Sequence, residues 1–336
     1  MLRSSGRWAR GILRVLTLGF GFSLYLSCSS TRGDDLAPVP EGCFAFAVFG
    51  DGPYRAWEEG RYKRLIEEVN SQDLAWFLHV GDIIWYPCDE ETYRDRLEKM
   101  NRIAHPVIYT PGDNEWTDCH EAYPGKYDPL GRLELLREVF FSNPERSHGQ
   151  RPIVLETQSN VLGYEEFPEN QRWAHGGFEF ATIHIVGSGN GTEAFTKRTE
   201  ANDAEVQRRT AAAVAWMGET FERARLKSAK GVVIAMHADP DFEEFPGTWG
   251  YDAVLSKLAA EAERFSGPVL LIHGDNHEYL FDQPLNSLQT GEKLENFFRL
   301  ETMGSPDIGW VRVVIDTTHG QIRKVQPRTI GKRLFW

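Results

Sequence analysis

Basic side chains are scarce in this chain: 37 Lys and Arg stand against 49 Asp and Glu, giving a formal charge of -12 over 336 residues. A protein that tracks a nucleic-acid backbone needs clustered Lys and Arg to neutralise phosphates. No basic stripe occurs beyond the leader, so a nucleic-acid polymer is not an expected partner. Long apolar runs are missing too. The stretch from Val15 to Leu26 is about a dozen residues, short of the ~20 that cross a bilayer as a helix, which disfavours a permanent transmembrane anchor. There is no internal repeat and no low-complexity tract. With 41% hydrophobic residues the chain can bury a full core, and one large domain fits the length better than several small ones.

The N-terminus has its own grammar. Arg3, Arg7, Arg10 and Arg14 precede the apolar stretch, which ends in the small residues Ser27, Cys28, Ser29 and Ser30. That order predicts a signal peptide over 1–27, a flexible linker over 28–42 and a globular domain over 43–336. Leu26-Ser27-Cys28 resembles a bacterial lipoprotein signal, in which the cysteine is lipidated, although Tyr25 stands where a Leu is usual. Ordinary cleavage near Ser29 is the alternative. The expected location is therefore outside the cytoplasm, as a periplasmic or outer-membrane lipoprotein touching the membrane only through a lipid on Cys28.

Five apolar runs end on metal-type ligands: AVFGD at Asp51, LHVGD at Asp82, IYTPGDNE at Asp113, VVIAMH at His237, and LLIHGDNH at Asp275 and His277. Short Val, Ile, Leu and Phe runs that finish in Gly or Asp read as buried strands, and open α/β sheets place their sites beyond the carboxyl ends of such strands. Trp57, Leu65, Ile66 and Val69, and then Tyr93, Leu97, Met100 and Ile103, recur at helical spacing between the first runs. The order β-α-β-α-β makes the strands parallel, so Asp51, Asp82 and Asp113 leave on one side. Four carboxylates crowded together repel and take up protons unless cations neutralise them, which points to two divalent metal ions. Cys88 and Cys119 follow the second and third strands on the same rim, where an oxidising compartment lets them pair; two separate thiols are the alternative. Cys43 reads as a buried free thiol.

From His120 to His175 the pattern loosens into a short helix over Leu133 to Phe141 and a polar, Pro-bearing insertion. A strand from Phe178 to Val186 leads to the small-residue stretch Gly187 to Gly191, read as a turn. Val206, Ala213, Val214, Met217, Phe221 and Ala224 form one face of a long helix starting after Asn202 and Asp203. A helix from Tyr251 to Arg264 follows. The runs Phe297 to Thr302 and Trp310 to Ile315 read as strands of a second, more antiparallel sheet.

Together these stretches resemble the calcineurin-like metallophosphoesterases, a superfamily that includes the purple acid phosphatases. The family pattern is D-x-H, G-D, G-N-H-(D/E), a lone His, and G-H-x-H. Its counterparts here are Asp51-Gly52-Pro53, Gly81-Asp82, Gly112-Asp113-Asn114-Glu115, His237 and Gly274-Asp275-Asn276-His277. The resemblance implies an α/β fold, a four-layer αββα sandwich of two mixed sheets flanked by helices. It implies hydrolysis of a small phosphate monoester or diester by a metal-bound hydroxide. It also implies Asp51 and His277 on one ion, Asp82 bridging, and Asp113, His237 and Asp275 on the other, with Asp82 and Asn114 as the catalytic positions.

The departures bear on the chemistry. Pro53 offers no donor where the family has a His, and Tyr54 or a water is left to fill the place. Asp113 and Asp275 replace neutral ligands with carboxylates, moving preference from Zn or Fe towards Mn, Mg or Ca. Asn114 stands where the family's His assists the leaving group, and an amide delivers no proton; Glu115, His120 and His273 are nearby substitutes in sequence. Each Asp taken alone reads more readily as a helix or turn cap, and it is the six together at the expected strand ends that point to a site. His79, His105 and His184 read as core histidines, and Trp85 and Trp116 as pocket lining or packing under loops. A rival reading is a surface binding protein that keeps the fold without catalysis.

Overall fold

The computed structural model describes residues 36–331, so the leader, Cys28 and the tether up to residue 35 lie outside the described residues. Strand β1 (Cys43–Phe49) is buried from Phe44 to Phe49 without polar alternation, the pattern of a strand covered on both faces. It pairs in parallel with β2 (Phe77–His79), which pairs in parallel with β3 (Val107–Tyr109). The crossovers are the helices Glu59–Asn70 and Glu90–Asn101. The first begins after Trp57, not at it. Trp57 is exposed under the Arg61 guanidinium, and the buried stripe is Tyr62, Leu65 and Val69. Tyr62 stacks on Phe49 at 5.5 Å, fastening this helix to the strand that leads to Asp51. The second helix is capped by Asp89, whose carboxylate accepts the Thr92 N–H at 2.8 Å.

The remaining strands are β4 (Glu156–Thr157), β5 (Gln171–His175), β6 (Phe178–Thr182), β7 (Gly231–Ala235), β8 (Val269–His273), β9 (Leu280–Asp282), β10 (Phe297–Glu301), β11 (Gly309–Asp316) and β12 (Gln321–Thr329). They build a five-stranded sheet in the order β12-β11-β1-β2-β3 and a seven-stranded sheet in the order β4-β5-β6-β7-β8-β10-β9. Alternation along β7 explains the layering. Val233 and Ala235 join Phe46, Val48, Leu78 and Val313 in the core between the sheets. Val232 and Ile234 join Trp216, Met217, Phe221, Leu255 and Leu258 in the core beneath the helices Glu200–Leu226 and Asp252–Arg264. The result is the expected helix–sheet–sheet–helix sandwich. No described helix is long and apolar enough to cross a membrane.

Several expectations are corrected. Phe297–Glu301 and Gly309–Asp316 do not share a sheet. The first lies parallel to β8 in the larger sheet, the second antiparallel to β1 in the smaller. Both bury apolar side chains in the same inter-sheet core, Leu300 from one and Val311 and Val313 from the other, so hydrophobic pattern alone does not assign them. The polar stretch after His120 holds the helix Pro129–Phe140 and then β4 and β5, which extend the larger sheet. The long helix starts at Glu200, with Thr199 as its cap and Asn202 closing a capping box. Cys43 is a free thiol, but partly exposed at the head of β1.

The insertion is tied to the larger sheet by a buried ionic contact. Glu169 is fully buried and accepts both Arg137 (2.6 and 3.1 Å) and the His184 Nδ1–H (2.7 Å). Burial alone would raise the Glu169 pKa; the Arg137 charge and the His184 hydrogen bond outweigh it and hold the carboxyl well below its usual range. Burial lowers the His184 pKa, so the ring donates as a neutral imidazole. A carboxylate whose folded pKa is depressed contributes stability above its unfolded pKa, and that contribution is lost as pH falls. Glu169→Gln is expected to remove about 3 kcal/mol at pH 7, read by urea unfolding. The gap to wild type should narrow as pH falls from about 4.3, the unfolded Glu value, towards 2. A pH-independent gap would contradict this account.

Candidate metal centre

The strands β1, β2, β3, β7 and β8 end at one edge, and each of the six sequence-predicted ligands lies just beyond such an end. Four of them are held in the left-handed region: Asp51 (φ 56°), Asp82 (φ 56°), Asp275 (φ 86°) and His277 (φ 65°). Non-glycine residues rarely adopt it, at a cost of about 1 kcal/mol each. Backbone strain of this kind, repeated after β1, β2 and β8, turns these side chains inward and marks the edge as a candidate functional site. The glycines beside them permit close approach. A Cβ on Gly187 would lie 2.6 Å from Asp275 Oδ1 and 2.7 Å from Asp113 Oδ2, and one on Gly112 would collide with the Asp82 carboxylate.

His237 sits at the middle. Its Nδ1–H donates to the Val80 carbonyl at 2.8 Å, which leaves Nε2 facing Asp113 Oδ1 at 2.9 Å, Asp82 Oδ1 at 3.3 Å and Asp275 Oδ1 at 3.6 Å. Both His237 Nε2 and Asp113 Oδ1 are buried without a hydrogen-bond partner. A ring nitrogen and carboxylate oxygens at this range require a positive charge among them, a proton on Nε2 or a cation in its place. His277 repeats the arrangement: Nδ1 meets the Ser305 carbonyl at 2.6 Å, and Nε2 faces Asp51 Oδ1 at 3.8 Å and Tyr54 Oη at 3.4 Å. An imidazole anchored through one nitrogen to a carbonyl, with the other aimed at carboxylates, is the posture of a metal-ligating histidine.

Two donor triads result, Asp51–Asp82–His237 and Asp113–His237–Asp275, with ligand atoms in each within 4.8 Å of one another. Oxygen-rich, imidazole-containing and buried, either could hold a divalent ion. His237 belongs to both triads, whereas the sequence placed it with one ion only. His277 stands beside the first through Asp51. Asp51, Asp82, Asp113 and His237 are buried, and the half-buried Asp275 and His277 form the open side.

The electrostatics show the same demand for a cation. Burial, offset in part by His237 and His277, raises Asp51 to about 6. Burial together with Asp113, Glu115 and Asp51 raises Asp82 well above its usual value against the pull of His237. Burial would lower His237, yet Asp82, Asp113 and Asp275 raise it well above the ordinary imidazole value. For Asp113 the His237 ring outweighs burial and the pKa falls. Protons would have to stand in wherever a cation does not.

Around the candidate ligands lie Ser188 and Asp239, which the sequence did not single out, and Tyr54 and Asn114, which it did. Ser188 Oγ is 3.0 Å from both Asp113 Oδ2 and Asp118 Oδ1, and the Asp239 N–H donates to Asp275 Oδ2 at 3.1 Å. Ser188, Gly189 and Asn190 all have φ between 52° and 60°, so the stretch read as an ordinary turn is a left-handed one closing over the carboxylates. Tyr54, next to the donorless Pro53, places Oη 2.6 Å from Asp82 Oδ2. Asn114 Nδ2 donates to that same oxygen at 2.6 Å and its N–H to Oδ1 at 3.2 Å.

None of the substitute acids hydrogen-bonds a predicted ligand. Glu115 is buried, accepting from the Ile83 N–H and Tyr109 hydroxyl, both at 2.9 Å. Burial pushes His273 down to about 3, and His120 stacks on Phe195 at 4.4 Å. Trp116 is buried against His184, while Trp85 is exposed at the rim. Cys88 and Cys119 form a disulfide joining the loops after β2 and β3.

The sequence matches the profile of the calcineurin-like phosphoesterases over residues 45–279. No curated protein matches it. Among solved structures, that of PhoD is similar with a TM-score of 0.53 and 13% identity over 84% of this chain and 65% of PhoD, so this chain spans less than two thirds of that protein. The TT1561 protein of Thermus thermophilus gives a TM-score of 0.45 and 8% identity over 86% of this chain and 99% of its own. At such identities the likeness to PhoD speaks for the fold.

The folded state keeps a proton on Asp51 up to about pH 6, whereas an unfolded Asp releases it near about 3.9. The folded chain therefore binds more protons in that window, and its stability falls as pH rises. His237, raised when folded, acts in the same direction. Chelator-treated protein is expected to lose thermal stability from about pH 4 to 6. Adding Mn²⁺ at pH 7 should restore it, and His237→Ala should abolish the Mn²⁺ effect. No shift on Mn²⁺ addition to the wild type would count against a metal centre.

Proposed function

The chain belongs to the calcineurin-like phosphoesterase family, and on that premise we propose that it hydrolyses small phosphate monoesters or diesters at a centre of two divalent ions. Asp51 and His277 would hold one ion, Asp113, His237 and Asp275 the other, with Asp82 between them. The observation that carries this reading is the pair of imidazoles, each anchored by Nδ1 to a backbone carbonyl and turned by Nε2 towards buried carboxylates. Divalent ions bound there would supply a deprotonated water as nucleophile and polarise the phosphoryl oxygens. Four carboxylates to two imidazoles favour Mn²⁺ or Mg²⁺ over Zn²⁺.

The protein's own groups decide what leaves readily. Tyr54 and Asn114 both donate to Asp82 Oδ2, which turns Oδ1 towards His237 and keeps the carboxylate in one orientation. Asn114 can donate a hydrogen bond to a leaving oxygen but gives up no proton. Glu115 and His273 are buried in other hydrogen-bonding and packing roles. A positioned general acid contributes about 10² to 10⁴-fold, and that factor is missing where the leaving group is a poor one.

Mn²⁺-loaded protein is expected to hydrolyse aryl phosphates and to prefer phenyl phosphate to glycerol phosphate by at least about a hundredfold. Asp82→Asn should abolish both activities. Comparable rates on the two esters would remove the leaving-group argument. Stoichiometric metal without turnover under Mn²⁺, Mg²⁺, Zn²⁺ or Ca²⁺ would favour a metal-binding scaffold over an enzyme.

A further inference from the structure

Arg55 lies one residue beyond Tyr54 and is bound to no carboxylate: among the described residues its side-chain contacts are the Trp85 ring, 4.7 Å beneath its Cζ, and the Tyr86 hydroxyl at 3.4 Å from Nη1. Arg96, Arg137, Arg198, Arg209, Arg223 and Arg299 pair with Asp or Glu; Arg61 and Arg132 also lie over aromatic rings, but both donate to backbone carbonyls. The aromatic residues that hold it are exposed, Trp85 at 39%, Tyr86 at 42% and Tyr123 at 80%, with the Tyr86 and Tyr123 rings 6.1 Å apart. Large exposed rings in a contiguous row mark a binding surface more often than a packing one.

This row is joined to the centre. Trp85 packs edge-on against the Tyr54 ring at 5.2 Å, and Tyr54 Oη reaches Asp82. It is also stiff. Glu58 accepts the backbone N–H of both Tyr54 (2.7 Å) and Arg55 (3.2 Å) and is itself held by Ser305 Oγ at 2.7 Å. The Cys88–Cys119 disulfide ties the Trp85–Tyr86 loop to the loop bearing Tyr123. A guanidinium pinned against an indole keeps its planar fork and its charge available to an oxyanion.

We propose that Arg55, set on the Trp85–Tyr86 shelf, is the subsite for a second anionic group, so that the substrates are phosphate esters carrying a further carboxylate or phosphate on the organic part. This rests on the phosphoesterase reading above, because the first phosphoryl group must sit at the metals. A fork of guanidinium donors takes carboxylate or phosphate oxygens in pairs. The row of rings beside it offers apolar faces to the carbon skeleton that joins the two anions. Charge is thus recognised away from the reacting phosphorus, on a rim whose neighbouring centre is built of carboxylates.

The test compares two ligands of one shape. 4-Carboxyphenylphosphonate and its carboxylate methyl ester are titrated calorimetrically into the Mn²⁺-loaded full chain, and the matching aryl phosphates are assayed for turnover. Wild type is expected to bind the free carboxylate about tenfold more tightly, roughly 1.4 kcal/mol. Arg55→Ala should erase that preference while leaving the affinity for the methyl ester and the melting temperature unchanged, and Arg55→Lys should keep part of it. Equal wild-type affinities, or a preference that survives Arg55→Ala, would overturn the subsite. Turnover of both phosphates without a carboxylate preference would sink the subsite and leave the esterase standing. A carboxylate preference lost in Arg55→Ala, with neither phosphate hydrolysed, would leave the subsite standing and sink the esterase.

Discussion

Buried negative charge is the constraint from which this structure has to be understood. Asp51, Asp82 and Asp113 are almost wholly removed from water around the His237 ring, and an isolated carboxylate in that position is costly enough that it takes up a proton instead. The Val80 carbonyl settles how the ring responds. By accepting the Nδ1–H it fixes Nε2 as the nitrogen that meets the carboxylates. What remains is Nε2 among anionic oxygens, a position that takes either a proton, as the raised pKa of the ring shows, or a cation in its place. His277 on Ser305 repeats the device at the open side, so the two rings act as a matched pair and not as incidental core histidines.

The architecture serves that convergence. Two sheets stacked on one apolar core bring carboxyl ends from both to the same edge: β1, β2 and β3 from the smaller, β7 and β8 from the larger. Strand ends alone would aim side chains in several directions. The left-handed backbone at Asp51, Asp82, Asp275 and His277 redirects them, and the surrounding packing must hold each against its local preference. Phe46, Trp76 and Phe180, with ring centroids 4.9 to 5.9 Å apart, form part of that packing between the sheets. Stability stored in the inter-sheet core thus maintains strain at the site.

Much of this was legible from residues alone, for identifiable reasons. Strands buried on both faces read as unbroken apolar runs, and the Gly-Asp punctuation after them reports a close backbone approach, so the convergence of the six Asp and His side chains on one edge and the rim location of Cys88 and Cys119 could be read locally. Sheet membership could not, because Leu300 and Val313 face one shared core from opposite sheets and both patterns satisfy it equally. Strands β4 and β5 are short, polar and near an edge, so pairing, not periodicity, makes them strands. Ser188 and Asp239 were invisible for another reason. Their partners are 75 and 36 residues away in sequence, and nothing in a Gly-Ser-Gly-Asn-Gly stretch announces that three consecutive residues turn left-handed over a pair of carboxylates.

Tyr54 and Asn114 join these observations into one chemical consequence. Both replace or adjoin positions where an imidazole would be expected from the family pattern, and both spend their donors on the same oxygen of Asp82. An imidazole at either place could bind a metal or carry a proton. A phenol and an amide at 2.6 Å do neither while so engaged, but they fix the Asp82 carboxylate of the first triad. Proton delivery is exchanged for a rigid Asp82. On the proposed reading, such a centre would favour substrates that leave without help and would gain from binding contacts outside the metals. The Arg55 guanidinium on the adjoining loop, held by Trp85 and Tyr86, is the rim feature that reading would use.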